Sequence, residues 1–301
     1  MAISHYLKVI GRGRDGARAI DRAQAADLMG QVLDGSVSDL EIGAFCLAMR
    51  IKGETPQEMA GFLDATHARL NHLSAEANTR VVVLPSYNGA RKLPVLTPLL
   101  AALLAREGLA VVVHGCATES SRVTSEAVFA ELGVAPLNPR RTVQAGEHVF
   151  VPTAVLCPGL KRLLDVRRVV GLRNPAHSLV KLMNPMAGEA LLVGSYTHPE
   201  YAVSMAQTLA LTGARALLLR GTEGEVVADA RRQPHIDAFA HGQRWALVEA
   251  QTGSLAHLPE LPTDTDAVST ARYTRAVLAG ELPVPAPIAR QVQAALQALS
   301  L

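Results

Sequence analysis

An apolar run, Val81-Val82-Val83-Leu84, halts at Pro85 and opens into the polar turn Ser86-Tyr87-Asn88-Gly89-Ala90. Arg91 and Lys92 follow, and beyond Pro94 an apolar helical pattern starts with the hydroxyl of Thr97 near its beginning. A strand, a polar turn and a helix N-terminus present free backbone N–H groups and the positive end of a helix dipole, which together bind anions. The spacing predicts a phosphate site at this turn. An ordinary βα turn of an α/β domain has the same outline.

A second charge-bearing stretch is cationic. Lys161, Arg162, Arg167, Arg168, Arg173 and Lys181 fall in one short region in which Asp165 is the opposing acid. On a helix, Lys161, Asp165 and Arg168 share a face while Leu160, Leu163 and Leu164 point inward. Further cations are Arg91 and Lys92 after the polar turn, Arg122 after the hydroxyls of Ser120 and Ser121, and Arg12 and Arg14 near the N-terminus. Cations from several elements that converge suit a backbone of phosphates, and a solvated basic face carries the same pattern. Aromatics able to stack bases are few, namely Tyr87, Tyr196 and Tyr201. Binding of a nucleic acid would then rest on phosphates, be salt-sensitive and ignore base sequence.

Other reactive side chains lack companions. His114 ends an apolar run at the expected ligand edge of a sheet, so it is either a phosphate contact or a structural edge residue. No acid or nucleophile adjoins it, no base adjoins Cys157, and no catalytic residue is assigned. Gly11-Arg12-Gly13-Arg14-Asp15-Gly16 spells a dinucleotide-loop pattern, but no strand precedes it, so a flexible basic linker is expected.

The elements that would position these residues change character along the chain. Residues 1–75 read as helical: Asp21 caps a helix with Ala25, Leu28, Met29 and Val32 on its inner face. Asp39 caps a second with Phe45, Cys46 and Met49 inward, and Thr55-Pro56-Gln57-Glu58 opens a third. From residue 76 to 301, short apolar runs at Val81–Leu84, Ala110–Val113 and Ala216–Leu219 alternate with helical patterns, which implies a mostly parallel sheet. The fold class is therefore α/β with a small N-terminal helical domain, and the cleft between the domains is the expected site.

Composition excludes several classes. Of 301 residues, 49% are hydrophobic and 19% charged, and the net charge is +2, so basic character must come from local clustering. The three cysteines, Cys46, Cys116 and Cys157, form neither zinc spacing nor a disulfide framework, consistent with a reducing compartment. No signal peptide or membrane-spanning run is read, so a cytoplasmic location with no membrane partner is expected.

The order of these elements resembles the anthranilate phosphoribosyltransferase family and the nucleoside phosphorylase II, or phosphoribosyltransferase class III, fold. Leu33-Asp34-Gly35, Ala48-Met49-Arg50-Ile51-Lys52-Gly53-Glu54, His114-Gly115, Ser120-Ser121-Arg122, Glu131-Leu132-Gly133 and Asn184-Pro185 carry the likeness. The enzymes' chemistry fails to follow. Their glycine-rich pyrophosphate loop is replaced by Pro85-Ser86-Tyr87-Asn88-Gly89-Ala90, where Pro85 lacks an N–H and Tyr87 sets a ring where backbone should approach the ligand. Their lysine and arginine around the histidine and glycine become Val113 and Ala117. Val226 and Val227 stand at their Mg²⁺-binding acidic pair, and Glu223 and Glu225 would replace it only if the loop shifted. Cys157 stands at a substrate-side histidine and Arg167 at an acceptor-binding arginine.

Pro85 through Lys92, Thr97-Pro98-Leu99-Leu100, Gly171-Leu172-Arg173-Asn174, Ser195 through Tyr201 and Gly221-Thr222-Glu223-Gly224-Glu225 are similar to the TrpD-paralogue, YbiB-type branch. That resemblance implies a homodimer that binds DNA and RNA with little sequence preference, without cofactor or metal. Its phosphate contacts are expected from Arg91, Lys92, His114, Ser120, Arg122 and the cations at 161–181. Ser86, Tyr87, Asn88, Gly89 and Thr97 would remain as a degenerate cofactor loop. The alternative is a phosphoribosyl or other glycosyl transferase with an unidentified acceptor.

Overall fold

The computed structural model describes residues 3–138, 141–255 and 258–301. In chain order the first helices are α1 (Ser4–Ile10), α2 (Gly13–Gly16), α3 (Arg22–Asp34), α4 (Asp39–Lys52) and α5 (Pro56–His67). Next come β1 (Val81–Ser86), α6 (Thr97–Arg106), β2 (Ala110–Gly115), α7 (Ser125–Glu131) and β3 (His148–Pro152). Helices α8 (Thr153–Leu156), α9 (Pro158–Val170) and α10 (Ala176–Leu179) precede β4 (Leu191–Tyr196), α11 (Pro199–Thr212) and β5 (Ala216–Arg220). A 3₁₀ turn (Thr222–Gly224), β6 (Ile236–Ala240), β7 (Gln243–Val248), α12 (Ala267–Ala279) and α13 (Ala286–Ala298) complete the described elements.

The chain divides into two compact units, and the first is discontinuous. It joins Met1–Asn71 with Thr153–Pro185, while His72–Pro152 and Met186–Leu301 form the second. A contiguous boundary at residue 75 therefore leaves out the segment that contains α9. The reason is packing: Leu160, Leu163 and Leu164 of α9 are buried, and the Arg162 guanidinium donates to the Leu33 carbonyl at the end of α3, at 2.9 Å.

Capping sets the helices of this unit. Asp21 with Gln24, Ser38 with Glu41 and Thr55 with Glu58 each form a reciprocal capping box, worth about 1 kcal/mol apiece. Ser38, rather than Asp39, caps α4, because its hydroxyl lies three residues before the glutamate that reaches back. Glu58 is fully buried yet satisfied, accepting from Lys52 Nζ at 2.6 Å and from the Ile20 N–H at 3.1 Å. Residues 13–16, expected as a flexible linker, close one short helical turn, with the Arg18 N–H bonded to the Val9 carbonyl at 3.1 Å.

The second unit is a seven-stranded sheet in the order β3-β2-β1-β4-β5-β6-β7. The first five strands of that order run parallel, and β6 and β7 are antiparallel additions at one side. Val82, Leu84, Val111, Val113, Leu217 and Leu219 pack into its core with Leu99 of α6. Strand β1 continues through Pro85 to Ser86, further than the apolar run implies. Its pairing with β4 ends at Val83↔Leu192, so the missing N–H of Pro85 falls beyond the registered β1–β4 pairs. Because β1, β4 and β5 are neighbours, the loops after β1 and β5 emerge at the same carboxyl edge, where α/β sheets carry ligands. Among the described residues, no helix is long and apolar enough to cross a membrane.

Candidate functional site

The turn after β1 is built around a carboxylate from elsewhere in the chain. Glu225, 1% exposed, accepts from the Asn88 and Gly89 N–H groups, both at 2.8 Å. Thr97 Oγ1 donates to it at 3.1 Å, and the Ser86 hydroxyl, itself bonded to Ser125 Oγ at 2.7 Å, donates to the same carboxylate. Thr97 opens α6, so the positive end of that helix faces the charge. Two backbone amides and two hydroxyls supply the charge-assisted bonds that a buried carboxylate needs.

Glu223 occupies the second half of the turn. Its carboxylate accepts from Lys92 N at 2.8 Å, Leu93 N at 3.0 Å and Arg91 N at 3.1 Å. Its backbone stands in the left-handed region at φ 51°, followed by Gly224 at φ 89°. That reversal sends two carboxylates, two residues apart, into one turn. A side chain at Gly224 would meet Asn88 Nδ2 at 1.9 Å, because the Asn88 amide donates to the Glu223 carbonyl at 3.0 Å. Ser195 of β4 adds a bond to the Gly224 carbonyl at 2.9 Å. Gly89, at φ 62°, lies so close to the Val123 carbonyl that a Cβ would approach it to 2.5 Å. The glycine kept in this turn is therefore the one its geometry demands.

Several expected contacts are used differently. The N–H groups of Arg91 and Lys92 serve the turn, while their side chains are exposed. Arg122 is not an open phosphate contact: its side chain is 12% exposed and pairs with Glu119 at 3.1 Å and Glu223 at 3.9 Å. It also donates to the Gly89 carbonyl at 3.2 Å, bracing the turn. The Tyr87 ring does not fill the ligand position; it is buried, edge-on to His114 at 5.5 Å, with its hydroxyl 2.8 Å from Nδ1. His114 is fully buried in β2, which fits the structural role rather than the phosphate contact. Ser120 is exposed. Val226 and Val227 are buried in the core of the sheet unit.

The cationic cluster belongs to the helical unit. Lys161 and Arg168 both pair with Asp165, the latter at 3.4 Å with its side chain 66% exposed. Arg162 is exposed apart from its bond to Leu33; Arg167, Arg173 and Lys181 are half-buried. Four cations against one carboxylate leave α9 positive, with Val169 and Leu172 exposed beside them. Cys157 precedes α9, a position that ordinarily acidifies a thiol, but burial pushes this thiol up. The sequence thus located the turn and the basic helix, but their residues divide between the two units: Arg91, Lys92, His114, Ser120 and Arg122 lie in one, the cations at 161–181 in the other. The roles of Glu223 and Glu225 were not read from it. Their one signal was a pair of glutamates flanking a glycine after β5, where the metal ligands are absent.

Residues 5–69 match the model of the glycosyl transferase family helical bundle domain. Over 298 residues, spanning 97% of this chain and 92% of its relative, the sequence is 42% identical to the uncharacterized protein YbiB of Escherichia coli strain K12. The chain belongs to the anthranilate phosphoribosyltransferase-like family. Within that family it is 29% identical to the anthranilate phosphoribosyltransferase of Anaeromyxobacter sp. strain Fw109-5, over 86% of this chain and 79% of the enzyme. The fold matches the crystal structure of anthranilate phosphoribosyltransferase (TrpD) from Thermus thermophilus with a TM-score of 0.74 at 24% identity, covering 99% of this chain and 88% of that one. The Saccharomyces cerevisiae enzyme in complex with PRPP and Mg matches with a TM-score of 0.69 at 15% identity, over the same 99% and 88%.

Proposed function

We propose that this protein is a homodimer that binds DNA and RNA through their phosphates with little sequence preference, on a phosphoribosyltransferase fold that no longer performs transfer. The observation that carries the reading is α9, a short helix with Lys161, Arg162, Arg167 and Arg168 on it and Asp165 as its one acid. Exposed Arg162 and Arg168 are placed to meet a polyanion, and long flexible cations need no base-specific geometry. Arg91 and Lys92 add exposed positive charge in the other unit. Stacking contributes little: Tyr87 is buried, and Tyr201 at 38% exposure is the most open of the three candidate tyrosines.

Self-association is supported by α4, where Leu40, Ala44, Leu47 and Ile51 form an exposed apolar stripe at helical spacing. A dimer would let two modest phosphate-binding surfaces act on one strand or duplex, which raises avidity without new contacts.

The second reading is a phosphoribosyl or glycosyl transferase, favoured by the sequence relation to anthranilate phosphoribosyltransferases. Against it stand the valines at 226 and 227, which supply no ligand for Mg²⁺, and a turn whose amide donors are already satisfied. One preparation separates the two. Labelled single- and double-stranded oligonucleotides at low salt should bind with similar affinity whatever their sequence, while calorimetry with phosphoribosyl pyrophosphate and Mg²⁺ should give no saturable heat. The reverse pattern would establish the transferase reading.

A further inference from the structure

We propose that β7 is a self-pairing edge: two copies of the chain join their sheets by setting β7 antiparallel to β7 across a two-fold axis. Strand β7 closes the sheet on one side, next to β6 alone. A two-residue turn joins the two strands, with His241 at φ 50° and Gly242 at φ 79°, and Ala240 stands opposite Gln243. In such a hairpin the residues that flank the turn exchange hydrogen bonds, and the pattern alternates from there. Ala238 and Trp245 therefore bond to each other, while Arg244 and Ala246 turn their N–H and C=O groups to the open side. Gln243 through Ala246 are exposed, and among the described residues nothing bonds the outward groups of Arg244 and Ala246.

The occupant is a second copy because this edge complements itself. With Trp245 on the axis, Arg244 of each copy meets the partner's Ala246, and every outward N–H finds an outward carbonyl. Trp245 then faces the partner's Trp245 at a non-hydrogen-bonded position, where side chains across a strand pair come closest. Trp245 is the chain's one tryptophan and is 36% exposed. Charge does not oppose the contact. A charged edge residue ordinarily guards a strand against pairing, but Arg244, the one charged residue of β7, donates to Asp237 of its own copy at 2.7 Å. At the ends, Glu249, with its side chain 84% exposed, falls toward the partner's His241, an acid against an imidazole in both halves. The register shift between Ile236 and Asp237 ends the regular ladder after Ala246, so the contact is short and weak and suits copies already held close. It needs neither nucleic acid nor the α4 stripe, and with the self-association proposed through α4 it gives assemblies larger than a dimer.

The 301-residue protein without nucleic acid tests this. Sedimentation and tryptophan emission are read from about 1 to 500 µM. Average mass should rise with concentration, while Trp245 emission moves to shorter wavelength as its ring leaves water. A246P removes an outward N–H and no bond to β6, so both changes should vanish while circular dichroism stays that of the wild type. L47D on α4 should keep the emission shift, which separates this contact from the one proposed there. Constant emission or constant mass across the range, or a shift that A246P retains or L47D removes, overturns the proposal. Should A246P fail to fold, amide hydrogen exchange in the wild type decides. Arg244 and Ala246 should exchange at least about tenfold more slowly at the highest concentration than at the lowest. Equal exchange overturns it.

Discussion

The turn at 86–93 and the helix α9 are both places where a sequence reading expects phosphates, and they treat charge in opposite ways. In the turn, donors are backbone amides fixed by a strand, a bridge to Val123 and a helix N-terminus, and the protein's own carboxylates absorb them. On α9, donors are long side chains, with Arg162 and Arg168 exposed among them, and one carboxylate, Asp165, offsets only part of their charge. Fixed amides are specific for anion geometry and can be silenced from within by two residues. Flexible cations are indifferent to geometry and stay available to any polyanion, at the cost of being screened by salt. On the proposed reading, this contrast accounts for a fold that binds a phosphate polymer in place of a small phosphorylated substrate.

Reversing charge on α9 should have the largest effect. R167E/R168E is expected to weaken oligonucleotide binding by roughly a hundredfold at low salt, equally for unrelated sequences. Fluorescence anisotropy reads this, and a loss confined to certain sequences would place base recognition in the interface. In the turn, G224A should destabilise the fold by about 2 kcal/mol in urea unfolding, because a Cβ would collide with Asn88 at 1.9 Å and the backbone stands at φ 89°. R122A should cost about 1–2 kcal/mol in the same measurement, since Glu119 and Glu223 lose a largely buried partner. It should leave nucleic-acid affinity nearly unchanged, and a large loss of affinity would make Arg122 a phosphate contact after all.

The smallest effect concerns whether the helical unit holds chemistry beyond charge. Burial pushes the Cys46 thiol up to about 11 and also raises that of Cys157. Native protein at about pH 8 should therefore react with iodoacetamide far more slowly than the unfolded chain, which mass spectrometry measures directly. Fast labelling of Cys157 would show instead that the start of α9 activates a thiol.

Much of the fold was legible because local signals agreed with the final packing. Asp21 and Thr55 announced their helices through capping chemistry, and the three apolar runs at Val81, Ala110 and Ala216 became parallel strands β1, β2 and β5. Strands β3 and β4 were not singled out, and β7 is mostly exposed, so its sequence carries little strand pattern. Helix α10, Ala176–Leu179, is a single turn, too short for its periodicity to be read from the sequence. At the site, the turn and the basic helix could be read from neighbouring residues. The closure of the turn could not, because Glu225 meets Asn88 across 137 residues of chain and only the strand order β1-β4-β5 brings their loops together. A pair of glutamates near missing metal ligands reads locally as a damaged cation site, whereas in the fold both carboxylates accept from the backbone amides of the turn after β1.

The proposed retention of phosphate binding as an electrostatic surface, rather than as a substrate turn, is decided by one titration. Binding of the wild-type protein to a labelled oligonucleotide should weaken steadily with salt, log affinity falling linearly with log salt concentration, at the same slope for unrelated sequences. No binding at low salt, or binding that salt leaves unchanged, would contradict it.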